Sequence, residues 1–246
     1  MAMILGIIQT TLNRFGLVLE RRRSRPFGLN WADDLAYLAG DVKIALDVGA
    51  NVGQTASRLT GRFPEVHVFS FEPAPATFQK LHDAWAGQGQ VTCIQMALGA
   101  QAGRAEMTDL PTSDQNTLVV GQHQRRPTVS VEVGTVDTFV AERHISSVDL
   151  LKIDTEGYEL EVLQGAINML RSRQIRFVLT ECEFTARPEE PHGAFEDISR
   201  LLLSLEYRVV AFYSGGVDGE GWRWGDVLWM LPDGNRPVAC SPHSNV

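Results

Sequence analysis

Ile44-Ala45-Leu46-Asp47-Val48-Gly49-Ala50-Asn51-Val52-Gly53 carries the clearest structural signal in this chain. It opens as a short apolar run, closes that run on an acid, and passes through two glycines into residues 54–60, a helical pattern that Gly61 is placed to stop. Strand, glycine turn and helix in that order open a βα unit. Glycines in the turn let the backbone pass close to a ligand where a Cβ would collide. In an open α/β sheet the ligand lies beyond the carboxyl ends of the strands, where the strand order reverses. The spacing is not the dinucleotide fingerprint G-x-G-x-x-G, and an acidic residue leads it. Asp47 thereby offers a carboxylate to a cationic group, such as an amine or a sulfonium.

The same alternation repeats along the chain. Further strands are expected at roughly 66–71, 91–97, 148–153, 176–182, 207–213 and 226–231. Several are continuous apolar runs, as parallel strands covered on both faces require. Asn30 is suited to cap a helix with Leu35 and Leu38 facing inward and Gly40 ending it. Pro75 fits a first helical position, and Phe78, Leu81 and Trp85 follow in one stripe. After Gly157, Leu160, Leu163, Ile167 and Leu170 mark one further helix, and Phe195, Ile198, Leu202 and Leu205 mark the last. The expected fold is α/β: a doubly wound, mostly parallel seven-stranded sheet. Residues 99–136 break the rhythm, with β-like runs at 104–107 and 129–133 around a polar segment. They read as an inserted hairpin or lid near the active-site edge.

Two more motifs fall at carboxyl ends of expected strands. Phe71-Glu72-Pro73 places Glu72 19 residues beyond Gly53, where such folds carry the acid that accepts hydrogen bonds from both ribose hydroxyls. Val148-Asp149-Leu150-Leu151-Lys152-Ile153-Asp154-Thr155-Glu156-Gly157 delivers Asp154 and Glu156 just ahead of a helix, and residues 176–182 bring Glu181 to the same edge. Carboxylates there can contact an acceptor, or simply favour a helix N-terminus.

Composition narrows the function. The net charge is −8, while Arg14, Arg21, Arg22, Arg23 and Arg25 stand against only Glu20 within residues 1–25, so the remainder is more acidic still. An acidic body cannot neutralise phosphates, which disfavours DNA or RNA as a partner. No apolar run approaches the roughly 18 residues of a membrane span. The apolar patch at 3–8 precedes the basic cluster, the reverse of a secretory signal. Cys93, Cys182 and Cys240 form no CxxC pair, which argues against a zinc site or a disulfide framework and suits a cytoplasmic location.

Taken in order, Asp47-Val-Gly-Ala-Asn-Val-Gly, Phe71-Glu-Pro, Ala97-Leu-Gly, Thr135-Val-Asp-Thr-Phe and Leu151-Lys-Ile-Asp-Thr-Glu-Gly-Tyr-Glu-Leu-Glu-Val-Leu-Gln-Gly-Ala resemble the FkbM family of methyltransferases over roughly residues 40–185. The resemblance implies a class I, Rossmann-like methyltransferase fold. It also implies S-adenosylmethionine as cofactor and O-methylation of a sugar, glycan or secondary-metabolite hydroxyl. Carried over by position, Asp47, Gly49, Asn51 and Gly53 would line the methionine side of the cofactor. Glu72 would hold the ribose, and the adenine would lie beside Gln95, Met96 and Ala97. A catalytically silent cofactor-binding module and a nicotinamide-dependent oxidoreductase are the alternatives.

An aliphatic hydroxyl is a poor nucleophile until its proton leaves, so a base or a metal should stand nearby. Asp154 and Glu156 are the first candidates for that base, with His123 and His192 behind them. Asp154 with Glu181 could instead hold Mg²⁺ through oxygen ligands. Residues 1–29 form a unit apart from the methyltransferase domain at 30–246. Ile4, Ile7 or Ile8, Leu12, Phe15 and Leu19 recur at helical spacing ahead of the basic linker. Such a helix can lie on an anionic inner membrane face, or pack on its own domain or in a homodimer.

Overall fold

The computed structural model describes residue 8, residues 27–108, residue 118, and residues 128–184, 194–213, 215–219 and 221–232. The expectations for the N-terminal helix and linker fall outside these apart from Ile8 and residues 27–29, and those for His123, His192 and Cys240 fall outside them altogether.

Seven strands form the main sheet: β1 (Ile44–Val48), β2 (His67–Phe71), β3 (Val91–Ile94), β7 (Val148–Ile153), β8 (Ile175–Glu183), β9 (Arg208–Tyr213) and β12 (Trp224–Met230). Their order is β3-β2-β1-β7-β8-β12-β9. All neighbours are parallel except β12, which runs antiparallel to both β8 and β9. The order reverses between β1 and β7, so the carboxyl ends of these strands diverge there into a crevice. The central strands carry little but apolar side chains: Leu46, Leu150, Leu151, Ile153, Phe177 and Val178 are all fully buried.

Helices cover both faces. On one side lie α1 (Trp31–Ala39) and α2 (Gln54–Arg62), whose Leu35, Ala56 and Leu59 meet Ala45, Leu150 and Leu228 in one core cluster. On the other, α4 (Val136–Glu142), α5 (Glu159–Gly165), α6 (Ile167–Arg171) and α7 (Phe195–Ser204) bring Phe139, Leu163, Leu170 and Leu202 against Leu46, Leu151 and Trp229. Between β2 and β3 runs α3 (Pro75–Trp85), with Pro75 in its first turn and Leu81 fully buried. The Asn30 side chain accepts from the Ala32 and Asp33 amides, and Gly40 ends α1 at φ 74°.

Three boundaries differ from the sequence expectation. Gly61 does not stop α2, which runs on to Arg62. No neighbour lies within 4 Å of an added Cβ at Gly61, and an exposed turn tolerates the weak helix former. The helix expected after Gly157 breaks at Ala166 (φ −105°, ψ 7°) into α5 and α6. The strand expected at 91–97 leaves the main sheet after Ile94. Residues β4 (Ala97–Leu98) then pair with β6 (Thr128–Gly134), itself antiparallel to β5 (Gly103–Thr108), so the insertion is a separate three-stranded sheet. A short antiparallel pair, β10 (Val217–Asp218) with β11 (Gly221–Trp222), precedes β12.

Candidate active site

The turn after β1 is held from two sides. The Gly49 and Ala50 amides both donate to the Phe71 carbonyl at the end of β2, at 3.0 and 2.9 Å, and the Asp154 amide donates to the Val48 carbonyl at 3.0 Å. Gly49 lies at φ 82°, and a Cβ there would sit 1.8 Å from the Asp154 carbonyl oxygen. Only a residue without a side chain lets this turn lie against the end of β7.

Beyond the turn opens a cavity of about 330 Å³. Gly49, Asn51, Glu72, Met96, Ala97, Asp154, Glu156 and Glu181 are on its wall, so eight of the residues expected at the site from sequence converge there. Asp47 and Gly53 do not line it. Asp47 is buried one layer behind, its Oδ2 accepting a long hydrogen bond of 3.4 Å from the Ser70 hydroxyl. Gly53 precedes α2 at φ 95°, where a Cβ would lie 2.4 Å from the Trp85 indole nitrogen. Gln95 is exposed and off the wall, whereas Met96 and Ala97 are on it. Met107 and Leu118 bring the inserted segment to the cavity.

Glu72 is fixed by the backbone. Its Oε2 accepts from the Asn51 amide at 3.0 Å and its Oε1 from the Ala74 amide at 2.9 Å. Burial pushes this carboxyl up to about 7 against the pull of those two amides. Each oxygen keeps a second lone pair, so a vicinal diol can still donate to both. Asp47 is likewise raised to about 7 by burial, with the Lys152 charge opposing.

At the other end the wall is acidic. Lys152, on the buried part of β7, donates from Nζ to Asp154 Oδ2 at 2.7 Å and lies 3.9 Å from Asp226 Oδ1. Its pKa is raised because Asp154 and Asp226 together outweigh its own burial. One carboxylate oxygen each from Asp154, Glu156 and Glu181 lies within 4.8 Å of the others, a spacing that suits a cation. Burial, with Asp154 and Glu156 next, pushes Glu181 up to about 9. Glu159 sits apart from this wall: its Oε1 accepts from the Thr155 and Gly157 amides and from the Thr155 hydroxyl, which shapes the loop carrying Glu156.

Lys152, Asp226, Arg58, Trp31 and Trp224 also line the cavity, and the sequence reading assigned them no role. Lys152 was discoverable, because a lysine inside an otherwise apolar central strand must be paired. Asp226 and Trp224 carried no such signal. They reach the site only because β12 inserts next to β8, placing Asp226 opposite Glu181.

Residues 47–209 match the model of a family described as the Methyltransferase FkbM domain. Over 159 residues the chain is 29% identical to the hexuronic acid methyltransferase AglP of Haloferax volcanii, a match covering 63% of this chain and 59% of that protein. It is 27% identical over 192 residues to the 2-O-methyltransferase NoeI of Sinorhizobium fredii, covering 72% and 77%. With the 31-O-demethyl-FK506 methyltransferase FkbM of Streptomyces tacrolimicus it shares 29% over 219 residues, covering 72% and 79%. The chain thus spans about three fifths of the length of the first of these relatives. Among solved structures the METTL16 MTase domain is similar in fold, with a TM-score of 0.50 at 12% identity, covering 92% of this chain and 79% of that one. With its family motifs gathered around one cavity at the strand-order reversal, the chain belongs to the FkbM family of methyltransferases.

Proposed function

We propose that this cavity binds S-adenosylmethionine and that the chain moves its methyl group to a hydroxyl oxygen of a sugar, glycan or secondary metabolite. The observation that carries this reading is the pairing of Glu72 with the Gly49 turn. A buried carboxylate tied to the Asn51 amide stands beside a backbone that admits no side chain. That cradle fits an S-adenosyl amino acid whose ribose diol meets Glu72 and whose amino-acid end passes over Gly49 and Asn51, leaving Met96 and Ala97 for the base. Asp47 and Gly53 then support the cradle from behind. The bound cofactor supplies an electrophilic methyl on a sulfonium. The names of two relatives, a 2-O-methyltransferase and a 31-O-demethyl-FK506 methyltransferase, support oxygen as the acceptor atom, and that of the hexuronic acid methyltransferase supports a sugar acceptor.

The chain's own work is alignment and proton removal. Aligning the acceptor oxygen is worth up to about 7–11 kcal/mol in favourable models. Asp154 is the group we assign to take the hydroxyl proton, since Lys152 fixes Oδ2 and leaves Oδ1 for the acceptor. Glu156 orients the acceptor beside it. The spacing of Asp154, Glu156 and Glu181 supports a second reading, in which these carboxylates would hold Mg²⁺ and the ion would supply Lewis-acid activation of the hydroxyl. We infer that residues 1–29 are an appendage to the domain at 30–246 that packs on that domain, makes a homodimer contact or lies on an anionic membrane face. Transfer of labelled methyl to a panel of glycans and hydroxylated metabolites tests the function, run with and without EDTA. Transfer that survives exhaustive chelation supports the base, and loss reversed by Mg²⁺ supports the metal. No transfer to any hydroxyl acceptor contradicts the proposal.

A further inference from the structure

The charged groups on the cavity wall are unbalanced. Even with Glu181 protonated, Glu72, Asp154, Glu156 and Asp226 place four carboxyl groups on it, and among the described residues only Lys152 and Arg58 oppose them. Such a wall welcomes a sulfonium or an ammonium and repels a carboxylate, so a ligand that carries a carboxylate needs a cation of its own. Lys152 cannot supply it. Its side chain is 5% exposed, Nζ is committed to Asp154 at 2.7 Å, and Asp226 lies on its other side.

Arg58 is placed differently. It projects from α2, one turn beyond Gln54 and Thr55, and all three line the cavity beside Asn51. Among the described residues no hydrogen bond and no ion pair within 4.0 Å engages its guanidinium; Asp226 feels its charge only at longer range. Arg58 also lines a second, adjoining cavity of about 620 Å³, with Trp31 and Asp226 as the other shared residues. It therefore stands at the seam of the two spaces. A guanidinium offers paired N–H donors that match a carboxylate's two oxygens, which a lysine does not.

We propose that Arg58 is the carboxylate-binding residue of this site. Two ligands could bring that carboxylate: the amino-acid end of the cofactor, reaching Arg58 from the main cavity, or an acidic acceptor, reaching it through the adjoining one. The proposal rests on the cofactor reading above, and its test is separable from it. Wild-type full-length chain is titrated calorimetrically with S-adenosylhomocysteine and with 5′-methylthioadenosine, which shares the thioether and adenosine but lacks the amino-acid end. Arg58→Ala and Arg58→Lys follow, each checked for an unchanged thermal midpoint. If the carboxylate is the cofactor's, Arg58→Ala weakens S-adenosylhomocysteine tenfold or more, leaves 5′-methylthioadenosine within about twofold, and is only partly rescued by lysine. If it is the acceptor's, S-adenosylhomocysteine is unaffected, and Arg58→Ala removes a preference for methyl glucuronide over methyl glucoside measured with S-adenosylhomocysteine present. Equal behaviour of Arg58→Ala and wild type in every titration, or equal weakening of both nucleosides, overturns the proposal. Failure of wild type to bind S-adenosylhomocysteine at all would instead remove the cofactor reading.

Discussion

Asp154→Asn is expected to lower kcat by about 10²–10⁴ while leaving S-adenosylhomocysteine affinity nearly unchanged. The amide keeps the shape of the side chain but cannot take a proton from the acceptor hydroxyl. It also weakens the 2.7 Å contact with Lys152, so a buried lysine is left facing Asp226 alone. Lys152→Met separates the two effects. It removes the charge that fixes Asp154 without removing the base, so a smaller fall than that of Asp154→Asn is expected. Single-turnover kinetics at saturating cofactor measures both. A kcat for Asp154→Asn within threefold of wild type would take Asp154 out of the proton-transfer role.

Gly49→Ala carries the largest expected effect on stability. The residue lies at φ 82°, and its Cβ would sit 1.8 Å from the Asp154 carbonyl oxygen and 2.8 Å from the Asp154 carbonyl carbon. Both are backbone atoms, so no side chain can swing aside. Either the turn lifts off β7 or β7 is displaced at its functional end. Backbone strain and overpacking together cost about 3 kcal/mol or more, roughly 6 °C or more in Tm for a chain of this size. Gly87→Ala is the matched control, because Gly87 has φ 78° but no neighbour within 4 Å of the added atom. It bears the conformational cost alone, about 1–2 kcal/mol. Thermal unfolding of the two variants side by side should separate them clearly; equal midpoints would mean the turn has room the structure does not show.

The alternation of strand and helix was readable because parallel strands buried on both faces are written as apolar runs. Ile44–Val48, Val148–Ile153 and Ile175–Glu183 lie within a residue or two of where those runs placed them. The glycine and carboxylate motifs at their ends were readable for a related reason. A topology that puts β1 between β2 and β7 brings Gly49, Glu72 and Asp154 together without further information. What the sequence hid depends on tertiary neighbours. The exit of the chain from the main sheet after Ile94 changes pairing partner, not residue type. The break at Ala166 interrupts a stripe whose apolar spacing is unbroken. Asp47 and Gly53 belong to the same motif as Gly49 and Asn51, yet only the latter two reach the cavity. Asp47 points behind the turn toward Ser70, and Gly53 makes room for Trp85. Arg58, Trp224 and Asp226 come from segments with no local mark of function, and only the packing of α2 and β12 brings them to one wall.

Whether the cavity is built around Glu72 to hold an adenosyl sulfur compound is decided by calorimetry of S-adenosylhomocysteine on the full chain and on Glu72→Ala, with NAD as the comparison ligand. Glu72 gives up charge-assisted hydrogen bonds worth about 1.5–3 kcal/mol when truncated, so affinity should fall tenfold or more. Because the Glu72 carboxyl is pushed up to about 7 and must be ionised to accept from both hydroxyls, wild-type affinity should strengthen between pH 6 and pH 8. Glu72→Ala should lose that slope. S-adenosylhomocysteine should bind, NAD should bind weakly or not at all, and the folded variant should lose tenfold or more. Unchanged S-adenosylhomocysteine affinity in folded Glu72→Ala, or a preference for NAD, would rule this ligand arrangement out.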